Sequence, residues 1–338
     1  MMTYQLFHNQ DSSGGNTLTS KKDHQSSFQD VDYTGLTLDH SKVEAVVCIP
    51  TFRRPDYLRA TLFSLELQRT QVAFAVVVVD NDAESKAGLS VARDYFNGKL
   101  NGVATLEPQQ GSGFALNRAV ALALNLFPNA QNILMLADDE IAASNWLDVM
   151  VNAARMSKAE TIGAPIHPKF SSRAPRHIRS HPIFHQPYKA TGEVPKLESA
   201  GNCLIRRTVF DTIKGPYFDP ALSAITGSDT DFFMRCKQAG FKSYWVQEAE
   251  VSETISSSRS TPSWILSRSA ALGALAAHMD SRYMTTQWGG FAPRLKSFAL
   301  LPVAAGRFAA TFLRTGNWLK AMHPLSFAWG RVMGGLRS

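Results

Sequence analysis

Cysteine is scarce in this chain, and the three that occur (Cys48, Cys203 and Cys236) are odd in number and far apart. That excludes a disulfide framework as the basis of the fold and leads us to expect a reducing compartment. Long hydrophobic runs are missing as well. No apolar stretch near the N-terminus suits a secretory signal. The longest run in the C-terminal part, residues 298–305, falls far short of the ~20 apolar residues that cross a bilayer. Acidic residues stop at position 280: residues 281–338 carry eight Lys/Arg and no Asp or Glu. The formal charge is +7, which leaves the first 280 residues at −1. A near-neutral body with a cationic tail is not the charge pattern of a nucleic-acid binder. A phosphate-binding glycine loop is also absent. Gly111-Ser112-Gly113 precedes a helical stretch, but it lacks the third glycine of a dinucleotide fingerprint and the Gly-Lys-Ser/Thr of a P-loop.

What is present is a globular composition, 44% hydrophobic and 19% charged over 338 residues, enough for one large or two ordinary domains. Residues 1–42 are polar and are expected to form a disordered or loose lead-in. From residue 43 the chain alternates strands (43–50, 74–79, 103–106, 133–136) with helices (57–67, 85–96, 114–126, 146–154). Alternation of this kind implies parallel strands with crossover helices. Residues 163–197, with six prolines and four histidines, read as a long covering loop. Strand and helix signals return at 204–210, a short helix is expected at 231–240, a strand at 241–246 and a helix at 263–278.

The chemistry sits at strand ends. Residues 133–136 run straight into Asp138-Asp139-Glu140, and residues 74–79 into Asp80-Asn81-Asp82. Adjacent carboxylates repel unless a cation lies among them, and oxygen ligands of this kind suit Mg2+ or Mn2+. A solvated acidic turn capping the next helix is the alternative. In parallel sheets ligands bind outside the carboxyl ends of the strands, so Asp80, Asp82 and Asp138 to Glu140 are expected on one rim.

The motifs and their order resemble the family 2 glycosyltransferases. They are Pro50-Thr51-Phe52-Arg53-Arg54, Val79-Asp80-Asn81-Asp82, Gly111-Ser112-Gly113-Phe114-Ala115-Leu116-Asn117, Asp138-Asp139-Glu140 and Gly227-Ser228-Asp229-Thr230-Asp231-Phe232. The resemblance covers about residues 43–260 and is closest to the bacterial branch that builds succinoglycan-type exopolysaccharides. It implies an α/β chain with the GT-A nucleotide-diphospho-sugar transferase fold, a mixed, mainly parallel sheet flanked by helices, and here a C-terminal helical tail over 261–338. It implies inverting transfer of a sugar from a nucleotide-sugar donor, with UDP the expected nucleotide. The acceptor would be a hydroxyl of a growing glycan, expected to be linked to polyprenyl diphosphate.

By the same resemblance Thr51, Arg53, Asp80, Asp82 and Asp138 would contact the nucleotide. Asp139, with Glu140 as a weaker second ligand, would hold Mg2+ or Mn2+. Glu253 stands where many relatives carry a His and is a further metal or phosphate contact, and Arg259 is a candidate for phosphate or for plain surface. Asp229 is the expected base, since an inverting transfer needs a carboxylate to take the proton from the attacking hydroxyl. Its alternative is a helix N-cap. His177, His181 and His185 are spaced as on a helix face, but Pro182 interrupts it. Surface histidines fit better there than zinc.

The cationic tail, residues 291–338, mixes Leu, Phe and Trp with lone positive charges. It is expected either to lie on anionic lipid or to pack on protein. A cytoplasmic protein, peripheral at the inner face of the cell membrane, follows as the expected location. A sugar-phosphate nucleotidyltransferase and a non-catalytic membrane-bound nucleotide-binding scaffold are the rival readings.

Overall fold

The computed structural model describes residues 31–170, 173–225, 227–284 and 291–337. The first 30 residues of the expected lead-in lie outside the described residues. Order begins before residue 43, however. β1 (Tyr33–Thr34) pairs antiparallel with Val103 and Ala104, and Asp39 caps a short 3-10 turn at His40–Lys42.

The first half alternates as its apolar patterning dictates. β2 (Ala45–Thr51), α1 (Pro55–Glu66), β3 (Phe74–Asp80), α2 (Ala87–Phe96), β4 (Gly102–Leu106), α3 (Ser112–Leu126) and β5 (Asn132–Met135) follow one another. β4, β3, β2 and β5 are neighbours in that order and mutually parallel. Nearly every residue of β2 and β3 is buried, because helices cover both faces. Ala45, Val47 and Ile49 pack with Leu58, Leu62 and Leu65 of α1 and with Trp146 and Met150 of α4 (Trp146–Ser157). On the other face the Cys48 thiol lies 3.6 Å from the Ala119 carbonyl of α3.

After β5 the chain enters β6 (Glu140–Ala142), then α4, β7 (Thr161–Gly163) and β8 (Ile166–Phe170). It continues through α5 (Arg176–Arg179), β9 (Gly192–Val194), β10 (Cys203–Arg206) and α6 (Arg207–Thr212). α7 (Ser228–Gln238), β11 (Ser243–Trp245) and β12 (Val251–Ile255) complete the sheets. β10, β7, β11 and β9 extend the main sheet to nine strands with mixed directions. β6, β12 and β8 form a separate three-stranded sheet.

Residues 163–197 are therefore not one long loop. β8 reads as loop because Pro168 interrupts its pattern and its partner, β12, comes more than 80 residues later.

The C-terminal part is helical, as expected: α8 (Pro262–Tyr283), α9 (Phe291–Thr315) and α10 (Trp318–Arg337). α8 opens with Thr261 capping Trp264 N and Pro262 at its first position. Against it, α10 packs backbone to backbone. A Cβ on Gly273 would stand 1.9 Å from Phe327 O, and one on Gly330 1.9 Å from Ala270 O. No helix among the described residues is long and apolar enough to cross a membrane.

These two glycines and Gly306 of α9, where an added Cβ meets nothing within 4 Å, make a paired test. Gly to Ala inside a helix gains about 1 kcal/mol of propensity. Overpacking against backbone costs about 1–3 kcal/mol. Gly306→Ala should raise the thermal midpoint or leave it unchanged, whereas Gly273→Ala should lower it; equal midpoints would contradict the close α8–α10 contact.

Candidate active site

The carboxyl ends of three parallel strands bring Thr51, Asp80 and the Asp138-Asp139 turn together. Thr51 is the last residue of β2 and lies in register with Asp80, the last of β3. Thr51 Oγ1 donates to Asp138 Oδ2 at 2.8 Å. Asp80 is buried and accepts from two backbone amides, Leu89 N at 2.9 Å in the first turn of α2 and Asp82 N at 3.1 Å. The helix end carries partial positive charge, so it is a natural seat for that carboxylate. Gly88 permits the approach, since a Cβ there would meet Thr51 Cγ2 at 2.6 Å. Asp82 is equally buried. It accepts from Ser85 at 2.7 Å and pairs with Arg53 Nε at 3.0 Å, and Arg53 and Ser85 hold its carboxyl below the usual range. Arg53 holds a left-handed backbone, φ 56°, a strained state for a side chain this size.

Two further acids come from the small sheet. β12 runs antiparallel to β6 and sets Glu253 opposite Glu140, and Thr254 N donates to the Asp139 carbonyl at 3.1 Å. Arginines then neutralise the crowd. Arg54 Nη1 lies 2.8 Å from Asp139 Oδ2 and 3.2 Å from Asp138 Oδ1. Arg259 Nη1 sits between Asp139 Oδ2, at 3.2 Å, and Glu253 Oε1, at 2.8 Å. Burial raises Asp138, with Arg54 opposing it. Burial, and then the charge of Asp139, raise Glu253.

Glu140 is turned away from this bridge. Its Oε2 accepts from Ala137 N at 2.9 Å and its Oε1 lies against Gly201. Burial pushes its carboxyl up to about 8.

Asp229 lies in the first turn of α7 and is half-buried. It is not the N-cap: Gly227 takes that place, without a side-chain bond. Its oxygens accept from Thr230 N at 2.9 Å and Ala200 N at 3.3 Å, and burial raises its carboxyl above the ordinary Asp range. Arg268 of α8 feels the charges of Asp229, Arg259 and Glu253. That places the α7 acid and the Asp139 cluster in one electrostatic field.

Thr51, Arg53, Asp80, Asp82, Asp138, Asp139, Glu253 and Arg259 are thus brought together, whereas Glu140 turns to Ala137 and Gly201 and Asp229 meets the cluster only through the field at Arg268. Arg54 was missed as a site residue, although it touches two of the three central acids. The signal was its place beside Arg53 at the end of β2. Asn81 was missed too; it organises the loop before α3, donating to Glu107 O and Gln109 O and accepting from Gly111 N at 2.8 Å.

The histidine trio does not share one exposed face. His181 is fully buried and faces His323 of α10 at 5.0 Å between ring centres. Among the described residues no group of three or more His, Cys, Asp or Glu is arranged to hold a metal ion. Arg259 Nη1 does join oxygens of Asp139 and Glu253, and carboxylate oxygens are the hard donor type that Mg2+ and Mn2+ take.

Comparison with known proteins points one way. Residues 46–214 match the sequence model of glycosyl transferase family 2. The succinoglycan biosynthesis protein ExoM of Rhizobium meliloti (strain 1021) is 29% identical over 230 residues, 67% of this chain and 71% of its own. The mannosyltransferase PcManGT from Pyrobaculum calidifontis, solved in complex with GDP-Man and Mn2+, superposes with a TM-score of 0.57 at 15% identity. That match covers 91% of this chain and 93% of its own. S. aureus TarS 1-349 in complex with UDP superposes at 0.50 and 15%, covering 87% and 89%. At these identities the two structures support the fold alone.

The arginines' role in holding the acids can be measured without any substrate. Removing one partner of a fully buried ion pair costs about 3–5 kcal/mol. The Arg54 side chain is 36% exposed, so screening reduces that to about 1–2 kcal/mol. Arg54→Met should lower unfolding stability by that amount at neutral pH. The deficit should shrink as acid protonates Asp138, whose carboxyl already sits above its usual range. Denaturant titrations at pH 7 and pH 4 check both the size and the trend.

Proposed function

Because the chain belongs to glycosyl transferase family 2, we propose that it transfers a sugar, with inversion, from a nucleoside-diphosphate sugar to a glycan hydroxyl. The observation that carries this reading is a single rim. It holds Thr51, Arg53, Asp80, Asp82 and Asp138 at adjoining strand ends and Asp139 bridged to Glu253 by Arg259, while Asp229 is a separate half-buried acid that shares the field of Arg268.

In this reading Asp229 accepts the proton of the acceptor hydroxyl as that oxygen attacks the anomeric carbon and the bond to the diphosphate oxygen breaks. Burial raises its carboxyl above the ordinary Asp range, which makes it a stronger base at neutral pH. Asp139 and Glu253 would hold Mg2+ or Mn2+, ahead of Glu140, whose oxygens are spent on Ala137 N and packed against Gly201. Bound there, the ion would stabilise the negative charge gathering on the departing diphosphate. Arg54 and Arg259 supply fixed positive charge beside the same phosphates.

The similarity to ExoM supports exopolysaccharide as the product class, and we place the acceptor on a polyprenyl diphosphate at the inner face of the cell membrane. UDP remains the first donor nucleotide to try. GDP-mannose belongs in the same trial because PcManGT was solved with it.

The test is release of nucleoside diphosphate from a panel of UDP-sugars and GDP-mannose, with lipid extract, with and without Mn2+. Asp229→Asn should lower turnover roughly 10²–10⁴-fold while UDP binding by calorimetry is unchanged. A carboxylate that must be ionised loses activity as pH falls through its pKa. Because Asp229 is raised, the acid limb of kcat/KM should lie above the ordinary Asp range. An Asp229→Asn variant with full turnover would remove the base from this scheme, and no release from any donor would remove the scheme itself.

A further inference from the structure

The outer face of α9 carries large apolar side chains that no described part of the protein covers. At about 3.6 residues per turn, Leu295, Pro302, Gly306, Ala309 and Leu313 fall along one line of the helix. Leu295 is 71% and Leu313 85% exposed, and a Cβ added at Gly306 meets nothing within 4 Å. Phe298, Val303 and Phe312 flank that line and are also exposed. The opposite line, with Ser297 and Ala304 buried, is the one that faces the protein. The helix therefore turns its small residues to the protein and leaves an apolar stripe outside.

Charge decides what the outer stripe fits. Arg294 borders it on one side and Arg307 and Arg314 on the other, all exposed, and none makes an ion pair with a described residue. Lys296 is engaged instead, 2.9 Å from Asp280 of α8. No acid occurs anywhere in residues 281–338. A second copy of this chain would bring cations against cations along this face. A broad aliphatic stripe with cationic borders, and Trp318 half exposed just past its end, suits the surface of an anionic bilayer. The helix is 25 residues long, but its four cations bar it from crossing, so it would lie flat.

We propose that α9 is a membrane-docking helix that inserts Leu295, Phe298 and Leu313 into the headgroup boundary of anionic lipid, with Arg294, Arg307 and Arg314 on lipid phosphates. This deepens the glycosyltransferase reading by naming the surface that would hold the enzyme beside a lipid-linked acceptor. It rests on that reading for its purpose but not for its geometry.

The test is co-sedimentation of the full chain with phosphatidylcholine vesicles, with and without phosphatidylglycerol, at low and high salt. The full chain should sediment with the anionic vesicles, weakly at high salt and little with neutral ones. A double variant, Leu295→Glu with Leu313→Glu, should lose roughly tenfold or more in partitioning. Both side chains are exposed, so its circular dichroism and UDP affinity should match the parent chain. Those controls separate a failure here from a failure of the transferase reading, which the donor panel judges. The proposal falls if the parent chain ignores anionic vesicles or if the variant sediments equally well. It also falls if the parent chain instead forms a dimer, or a complex with a soluble acidic protein, that the variant abolishes.

Discussion

Like-charge repulsion at the strand ends is the constraint that the rest of this protein answers. Asp80, Asp82, Asp138, Asp139, Glu140 and Glu253 crowd one side of the fold, and burial makes each ionised carboxylate more costly than it would be in water. Each has its own remedy. Asp80 sits on the first turn of α2, Asp82 on Arg53 and Ser85, and Asp138 on Thr51 and Arg54. Asp139 is held between Arg54 and Arg259, and Arg259 also meets Glu253. Glu140 takes the remaining route, a carboxyl raised to about 8 that favours the neutral form. The result is a rim whose cations, Arg53, Arg54 and Arg259, are each held by the acids they neutralise.

That arrangement explains which parts of the site could be read from the sequence and which could not. Carboxylates ending apolar strand runs are a local signal, and the parallel alternation up to residue 136 needs only local periodicity, so both were legible. The partners are not local. Arg54 meets Asp139 across 85 positions and Arg259 meets the same carboxylate across 120, distances that no window of sequence spans. The small sheet was hidden for the same reason. β6 and β8 are short, β8 contains Pro168, and both are strands only because β12 lies between them. Without that sheet Glu253 reads as a departure from a familiar pattern; with it, Glu253 becomes a carboxylate joined to Asp139 through Arg259.

The tail was legible as amphipathic, but not which of its apolar residues stay outside. Sequence periodicity reports that apolar residues recur at helical spacing, and a single stripe could serve either protein or lipid. Burial separates the two. α10 is committed to α8 through Gly273 and Gly330, and α9 spends Ser297 and Ala304 on the protein while Leu295 and Leu313 stay outside. The contact between buried His181 and partly buried His323 shows a further long-range effect, because it joins the segment after α5 to α10 in a way no histidine spacing could announce.

One connection ties the helical hairpin to the chemistry. Asp231 is fully buried in the first turn of α7, two residues beyond Asp229. It accepts from Arg235 Nε at 2.9 Å and from the Tyr283 hydroxyl at 2.5 Å, and it lies 3.3 Å from Arg282 Nη1. Tyr283 is the last residue of α8. A buried carboxylate with three donors is expensive to disturb, because freeing any one of them leaves charge unpaired in a low-dielectric interior. The turn that carries Asp229 is therefore fixed to the same helix that supports α10, and through Asp280 to Arg331 and Lys296 of the hairpin. The turn that carries Asp229 and the C-terminal helices are both anchored to α8, the first through Asp231 and Tyr283 and the second through Asp280 with Lys296 and Arg331.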